Sequence, residues 1–129
     1  MFFKNFFGRL FKRKKQAKKQ EVPKAQRRFG GSIISKNILE GKGKLKWCIR
    51  EEPINHLDNG WRFWSDIDTD EYLEDSQNLT FVAWNTVLKI EPAVEYIFNC
   101  PPDIYLALEE EDGKKCFYDT DTEELIFKV

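Results

Sequence analysis

Hydrophobic and polar positions follow two different periods along this chain. Over residues 1–12 the period is helical. Phe2, Phe3, Phe6, Phe7, Leu10 and Phe11 fall within one half of a helical wheel, and Lys4, Asn5, Gly8, Arg9 and Lys12 fill the other. The basic run Lys12-Arg13-Lys14-Lys15-Gln16-Ala17-Lys18-Lys19 follows, Val22-Pro23 stops any helix, and residues 24–31 read as a polar linker. Beyond that linker the segments are short and mixed. Strands are predicted over 32–35, 45–50, 61–64, 80–84, 104–109, 115–118 and 125–129. In the second of these Leu45, Trp47 and Ile49 alternate with Lys46, Cys48 and Arg50, which predicts one shared face for the first three.

The punctuation between these strands is equally readable. Glu40-Gly41-Lys42-Gly43-Lys44 is a glycine turn without the second half of a phosphate loop, and Asp58-Asn59-Gly60 predicts a turn ahead of Trp61. Asp68 with Glu71 three residues later has the capping-box pattern of a short acidic helix. Residues 85–90 are ambiguous, and 91–98 predict a helix with Pro92 in its first turn. Asp112-Gly113 is the strongest hairpin signal in the chain. Strands and helices in irregular order, with no βαβ repeat, predict an α+β fold. The expected architecture is a small, mostly antiparallel sheet with one or two packed helices, preceded by a basic amphipathic N-terminal helix.

The 129 residues suffice for one domain, and 41% apolar with 33% charged residues suits a small soluble core. The aromatic share of 15% is high and asks for an explanation in the core. No apolar run reaches the roughly 18 residues of a membrane-spanning helix, and no secretory signal is evident. Cys48, Cys100 and Cys116 are odd in number and widely spaced, which argues against a disulfide scaffold or zinc site and fits a reducing cytoplasm.

Charge divides the chain into two expected units. Residues 1–29 hold eleven Lys and Arg against one acid (+10), and residues 30–129 hold ten against 21 acids (−11). A basic arm over 1–29 and an acidic domain over 30–129 are the expected organisation. The arm reads as an interfacial anchor at an anionic membrane surface, with Phe2, Phe3, Phe6, Phe7, Leu10 and Phe11 at the acyl boundary. Lys12, Arg13, Lys14 and Lys15 would meet the headgroups. Packing of the stripe on the protein's own body is the alternative. Nucleic acid ranks below both, because the aromatics precede the basic run instead of interleaving with it.

Catalytic and metal chemistry find little support in the body. His56 is the lone histidine and has no nucleophile motif beside it. Asp66-Ile67-Asp68-Thr69-Asp70 opens like a calcium loop, but Glu71 stands where glycine is required and Gln77 where glutamate is. No cofactor is expected. The more suggestive group is Trp61, Phe63 and Trp64 beside Asp66, Asp68, Asp70 and Glu71. Trp61 and Phe63 share one strand face while Arg62 and Trp64 share the other. The simpler expectation is that these aromatics fill the core and the acids solvate a helix start; the alternative, since both faces cannot be equally buried, is an exposed Trp61 or Trp64 as an anchor within an acidic rim that steers a basic partner.

Several elements also carry a resemblance. Ser35-Lys36-Asn37, Gly41-Lys42-Gly43, Trp47, Arg50-Glu51-Glu52-Pro53, Asn59-Gly60-Trp61-Arg62-Phe63 and Asn85-Thr86-Val87-Leu88 resemble a bacterial family of polymorphic-toxin immunity proteins, the immunity protein 33 type, over about residues 31–108. The resemblance implies a non-enzymatic cytoplasmic protein that binds and neutralises a cognate toxin, and it brings no catalytic residues. A membrane-surface adaptor of the same fold, without a toxin partner, is the alternative.

Overall fold

A computed structural model describes residues 29–129. The basic arm, including the Phe stripe and Lys12 to Lys15, lies outside the described residues. The described chain runs β1 (Gly31–Ser35), α1 (Lys36–Leu39), β2 (Leu45–Arg50), β3 (Asp58–Ser65), α2 (Asp70–Glu74), a 3₁₀ turn (Ser76–Asn78), β4 (Leu79–Ala83), α3 (Trp84–Ile90), a 3₁₀ helix (Pro92–Ile97), β5 (Ile104–Glu111), β6 (Lys114–Asp119) and β7 (Leu125–Lys128). The strands form one seven-stranded sheet in the order β4-β1-β3-β2-β5-β6-β7. All neighbours are antiparallel except β1 and β3. The expected α+β class with a mostly antiparallel sheet is what the chain adopts.

Local chemistry explains most boundaries. Ser35 caps α1 by accepting from the Asn37 N–H, and Gly41 turns the chain out of that helix at φ +72°. Asp112 and Gly113, at φ 51° and 78°, form the two-residue turn joining β5 to β6, as their sequence predicts. The ambiguous residues 85–90 are helical and recruit Trp84 from the preceding strand, while the helix expected over 91–98 is a 3₁₀ helix over Pro92–Ile97.

Two strand readings need correction. Asp58-Asn59-Gly60 does not turn the chain; it opens β3. The Asp58 carboxylate accepts from the Gly60 N–H at 2.9 Å, and the Asn59 side-chain oxygen accepts from the Trp61 N–H at 2.9 Å. These local bonds satisfy backbone groups inside the strand that they would otherwise satisfy in a turn. Leu45 also departs from its expected face. A bulge between Leu45 and Trp47 shifts the register, so Leu45 packs with Cys48 on one side while Trp47 and Ile49 pack on the other.

Both faces of the sheet carry core. Under α3 and the 3₁₀ helix, Trp61 stacks on Phe63 with centroids 5.9 Å apart, and Phe63 meets Trp84 at 6.0 Å. Trp84 meets Phe98 edge-on at 4.7 Å, which in turn meets Phe29 at 5.5 Å. This aromatic chain accounts for the high aromatic share, since each ring buries some 150–250 Å². On the opposite face, Leu73 of α2 closes a smaller cluster with Ile33, Ile49, Trp64 and Tyr105.

Candidate protein-binding surface

The Arg-Glu-Glu-Pro and Asn-Gly-Trp-Arg-Phe elements converge on one polar network beneath the surface. Arg62 is fully buried, and its two terminal nitrogens donate to the two Asp58 carboxylate oxygens at 2.8 and 2.9 Å. Its Nε donates to Glu51 at 2.9 Å. Burial alone would lower the Arg62 pKa, but the bonds and charges of Asp58 and Glu51 outweigh it and hold the group above its ordinary value. Burial pushes the Glu51 carboxyl up, and the attraction of Arg62 offsets only part of that. Arg50 does a second job. It donates to the carbonyls of Phe98 and Cys100 and lies over the Trp61 ring, tying the end of the 3₁₀ helix to the sheet. Gly60 sits at φ +89° against the Glu51 carbonyl, where any Cβ would collide. These motif residues build the scaffold between β2 and β3.

The expected aromatic anchors are not on the surface. Trp61 and Trp64 are both 0% exposed. The premise that one face of β3 must be open fails, because α3 covers one face and α2 the other, while Arg62 is neutralised by Asp58 and Glu51 within the second. The acids divide by role. Asp68 accepts from the Ser65 N–H, Ser35 Oγ and Asn37 Nδ2, pinning the loop, while Thr69 serves as the N-cap of α2. Asp66 accepts from the Lys44 N–H at 2.9 Å. Asp70 and Glu71 are exposed in the first turn of α2 and have no hydrogen-bond or ion-pair partner among the described residues. That turn also disposes their charge favourably toward the helix N-terminus. With Glu74 and Asp75, the stretch 66–75 holds six acids and no base.

A different aromatic surface emerges from strand register. Trp64 pairs with Trp47, Trp47 with Ala107, Ala107 with Tyr118, and Tyr118 with Leu125. Opposed residues share a face, so these five form one row across β3, β2, β5, β6 and β7. Leu73 of α2 packs in one cluster with Trp64, Trp47 is partly buried against that cluster, and Ala107 is buried. Trp47 and Tyr118 are half-buried, and Leu125 is 48% exposed. The Lys46 ammonium lies 5.5 Å from the centre of the Trp47 ring and pairs with Glu109. The Tyr118 hydroxyl donates to Glu111 at 2.7 Å, a bond that pushes its pKa up to about 12. Residues 104–129, which supply Ala107, Tyr118 and Leu125, hold eight acids against three lysines. Trp47 was legible as a strand residue, but its row requires the pairing of four more strands.

The remaining polar side chains show no assembled chemistry. His56 is exposed in the loop between β2 and β3. Burial raises the Cys48 thiol well above its ordinary pKa, and it raises Cys100 too, with Arg50 opposing. Among the described residues no group of three or more His, Cys, Asp or Glu is placed to hold a metal ion, and no helix is long and apolar enough to cross a membrane.

Comparison with known proteins is consistent with the motif resemblance. No curated protein and no solved structure matches the chain. The profile of the family described as Immunity protein Imm33 domain matches residues 32–118, from the first strand to the sixth. The match spans the scaffold network, the acidic helix and the row from Trp64 to Tyr118, and the chain belongs to the Imm33 immunity protein domain family.

Proposed function

We propose that the protein neutralises a cognate toxin by binding it stoichiometrically on the uncovered half of the sheet, without turnover. The observation that carries this reading is the alignment of the partly exposed Trp47, Tyr118 and Leu125 on one sheet face, in register through the buried Ala107, in a domain whose stretches 66–75 and 104–129 are acid-rich. Trp and Tyr supply much of the affinity of protein interfaces, and a rim of one charge sign steers partners of the other. Asp70 and Glu71, exposed and without a partner among the described residues, add to that acidic character and favour a basic toxin surface. A standard interface takes about 800 Å² per partner, within reach of one sheet face.

The test is co-expression with the C-terminal domain of the protein encoded by the neighbouring gene, together with titration of the purified pair. Wild type should rescue growth. Trp47→Ala should raise Kd by on the order of tenfold to a hundredfold, and Tyr118→Ala by less. Absence of rescue by wild type sinks the toxin reading. Folded Trp47→Ala and Tyr118→Ala variants that bind like wild type move the interface elsewhere.

The arm supports a separate proposal of peripheral attachment to the inner face of the cell membrane, carried by the Phe stripe and the adjoining Lys/Arg run. Full-length protein should float with anionic liposomes at low salt and lose that association as salt rises, since charges are screened over about 10 Å at 0.1 M. A protein lacking residues 1–19 should stay in the soluble fraction. Equal flotation of the two would refute the attachment.

A further inference from the structure

We propose that the toxin places an arginine on this surface, its guanidinium taking the position that the Lys46 ammonium holds between the Trp47 ring and Glu109. This inference rests on the toxin reading and names the partner chemistry of the same site. The bulge in β2 creates the position. Regular alternation would send Lys46 and Trp47 to opposite faces of the sheet. Leu45 pairs with Ser65 but Trp47 pairs with Trp64, so β2 carries one residue more than β3 over this stretch. Trp47 pairs on its other side with Ala107, and Glu109, two residues farther along β5, shares the face of Ala107. The Lys46 side chain reaches that same face, where its ammonium pairs with Glu109 and lies 5.5 Å from the centre of the Trp47 ring. Two successive side chains of β2 thus meet one carboxylate.

The contacts of Lys46 define what the position takes: a cation that lies over an indole and meets a carboxylate. A guanidinium satisfies both better than an ammonium. It is planar and more weakly hydrated, it stacks on an aromatic ring, and it can give a carboxylate two parallel hydrogen bonds. Lys46 is replaceable. Its side chain is 26% exposed and that of Glu109 is 44% exposed, and pairs open to water to this degree add little to stability. Displacement returns the Lys46 ammonium to solvent at small cost to the fold. The charge complementarity is local to Glu109. Across β6 it faces the neutral Cys116, so Lys46 is its only paired cation among the described residues. Glu111, the next acid on this face, already accepts from the Tyr118 hydroxyl and stands opposite Lys114 in register.

Nuclear magnetic resonance of the isotope-labelled full chain, titrated with the blocked peptide acetyl-Gly-Arg-Gly-amide, tests the position without the toxin. Trp47 is partly exposed, whereas Trp61, Trp64 and Trp84 are at most 3% exposed. The Trp47 indole N–H signal, identified by its loss in Trp47→Phe, should shift and saturate while the other three hold still. Glu109→Gln keeps the size of the side chain and removes its charge, and it should weaken the peptide about tenfold. Lys46→Met removes the resident cation, and it should tighten the peptide about twofold to fivefold. The same peptide with lysine in place of arginine should bind at least about threefold more weakly. The purified toxin complex should respond to Glu109→Gln and Lys46→Met in the same directions. The proposal is overturned if the Trp47 signal stays still, if the lysine peptide binds as tightly as the arginine peptide, or if Lys46→Met melts like wild type and binds no tighter. Any of these results alongside growth rescue by wild type leaves the toxin reading standing. Absence of rescue removes both.

Discussion

Arg62→Ala should destabilise the protein by about 3–5 kcal/mol, a large share of the roughly 5–15 kcal/mol available to a domain of this size. The guanidinium is fully buried and neutralises Asp58, whose side chain is equally inaccessible, and Glu51, whose side chain is 13% exposed. Truncation leaves both carboxylates without their cation in a region where water cannot replace it. The melting temperature should fall by roughly 15–30 °C. The pH dependence has a definite sign. Without Arg62 the Glu51 carboxyl, which burial already holds above its ordinary value, loses the attraction that offsets part of that rise, so the folded state binds a proton there more readily than the unfolded chain. The variant's deficit should therefore shrink as pH falls into the carboxylate range and grow as pH rises through it. Arg62→Lys should lie between the two, since an ammonium keeps the charge but cannot span both Asp58 oxygens. Thermal and urea unfolding followed by circular dichroism measure all three. An Arg62→Ala protein within 0.5 kcal/mol of wild type, a margin typical of unimportant surface sites, would show that the network is not a structural keystone.

What the sequence disclosed and what it hid follow from range. The Asp112-Gly113 hairpin, the acidic helix and most strands rest on interactions within a few residues, and they were legible. The insertion of β3 between β1 and β2, parallel to β1, depends on pairing across some thirty residues and was not. Face assignment failed for a related reason. The alternation Trp61-Arg62-Phe63-Trp64 suggests one apolar and one mixed face, which normally means one side in water. Here a buried arginine is compatible with a covered face because its acids come from Glu51 in the preceding loop and Asp58 on the same strand. The bulge near Lys46 added a second inversion, sending Leu45 to one core and Trp47 to the other. The candidate surface was hidden by both effects, since Trp47, Tyr118 and Leu125 meet only through the register of the finished sheet.

Trp64→Ala and Trp47→Ala, neighbours in the same row, should therefore fail in opposite ways. Trp64 is 0% exposed among Ile33, Ile49, Leu73 and Tyr105, so its removal opens a cavity beneath α2 and should cost about 3–5 kcal/mol of stability. Any loss of toxin binding in that variant should track the unfolded fraction and be recovered on cooling or with a stabilising osmolyte. Trp47 is half-buried at the open end of the row, beside Ala107, and its truncation leaves a shallower surface instead of a closed void. Its stability cost should be smaller, about 1–2 kcal/mol, because the ring packs against the same cluster from its edge and is only partly buried there. Binding should suffer instead, because the ring is the largest side chain on the uncovered half of the sheet. The pair of measurements, unfolding free energy and Kd, separates core from interface within one line of side chains. A Trp64→Ala protein that stays as stable as wild type yet loses binding would restore Trp64 as an anchor, and would require α2 to lift from the sheet when the toxin docks.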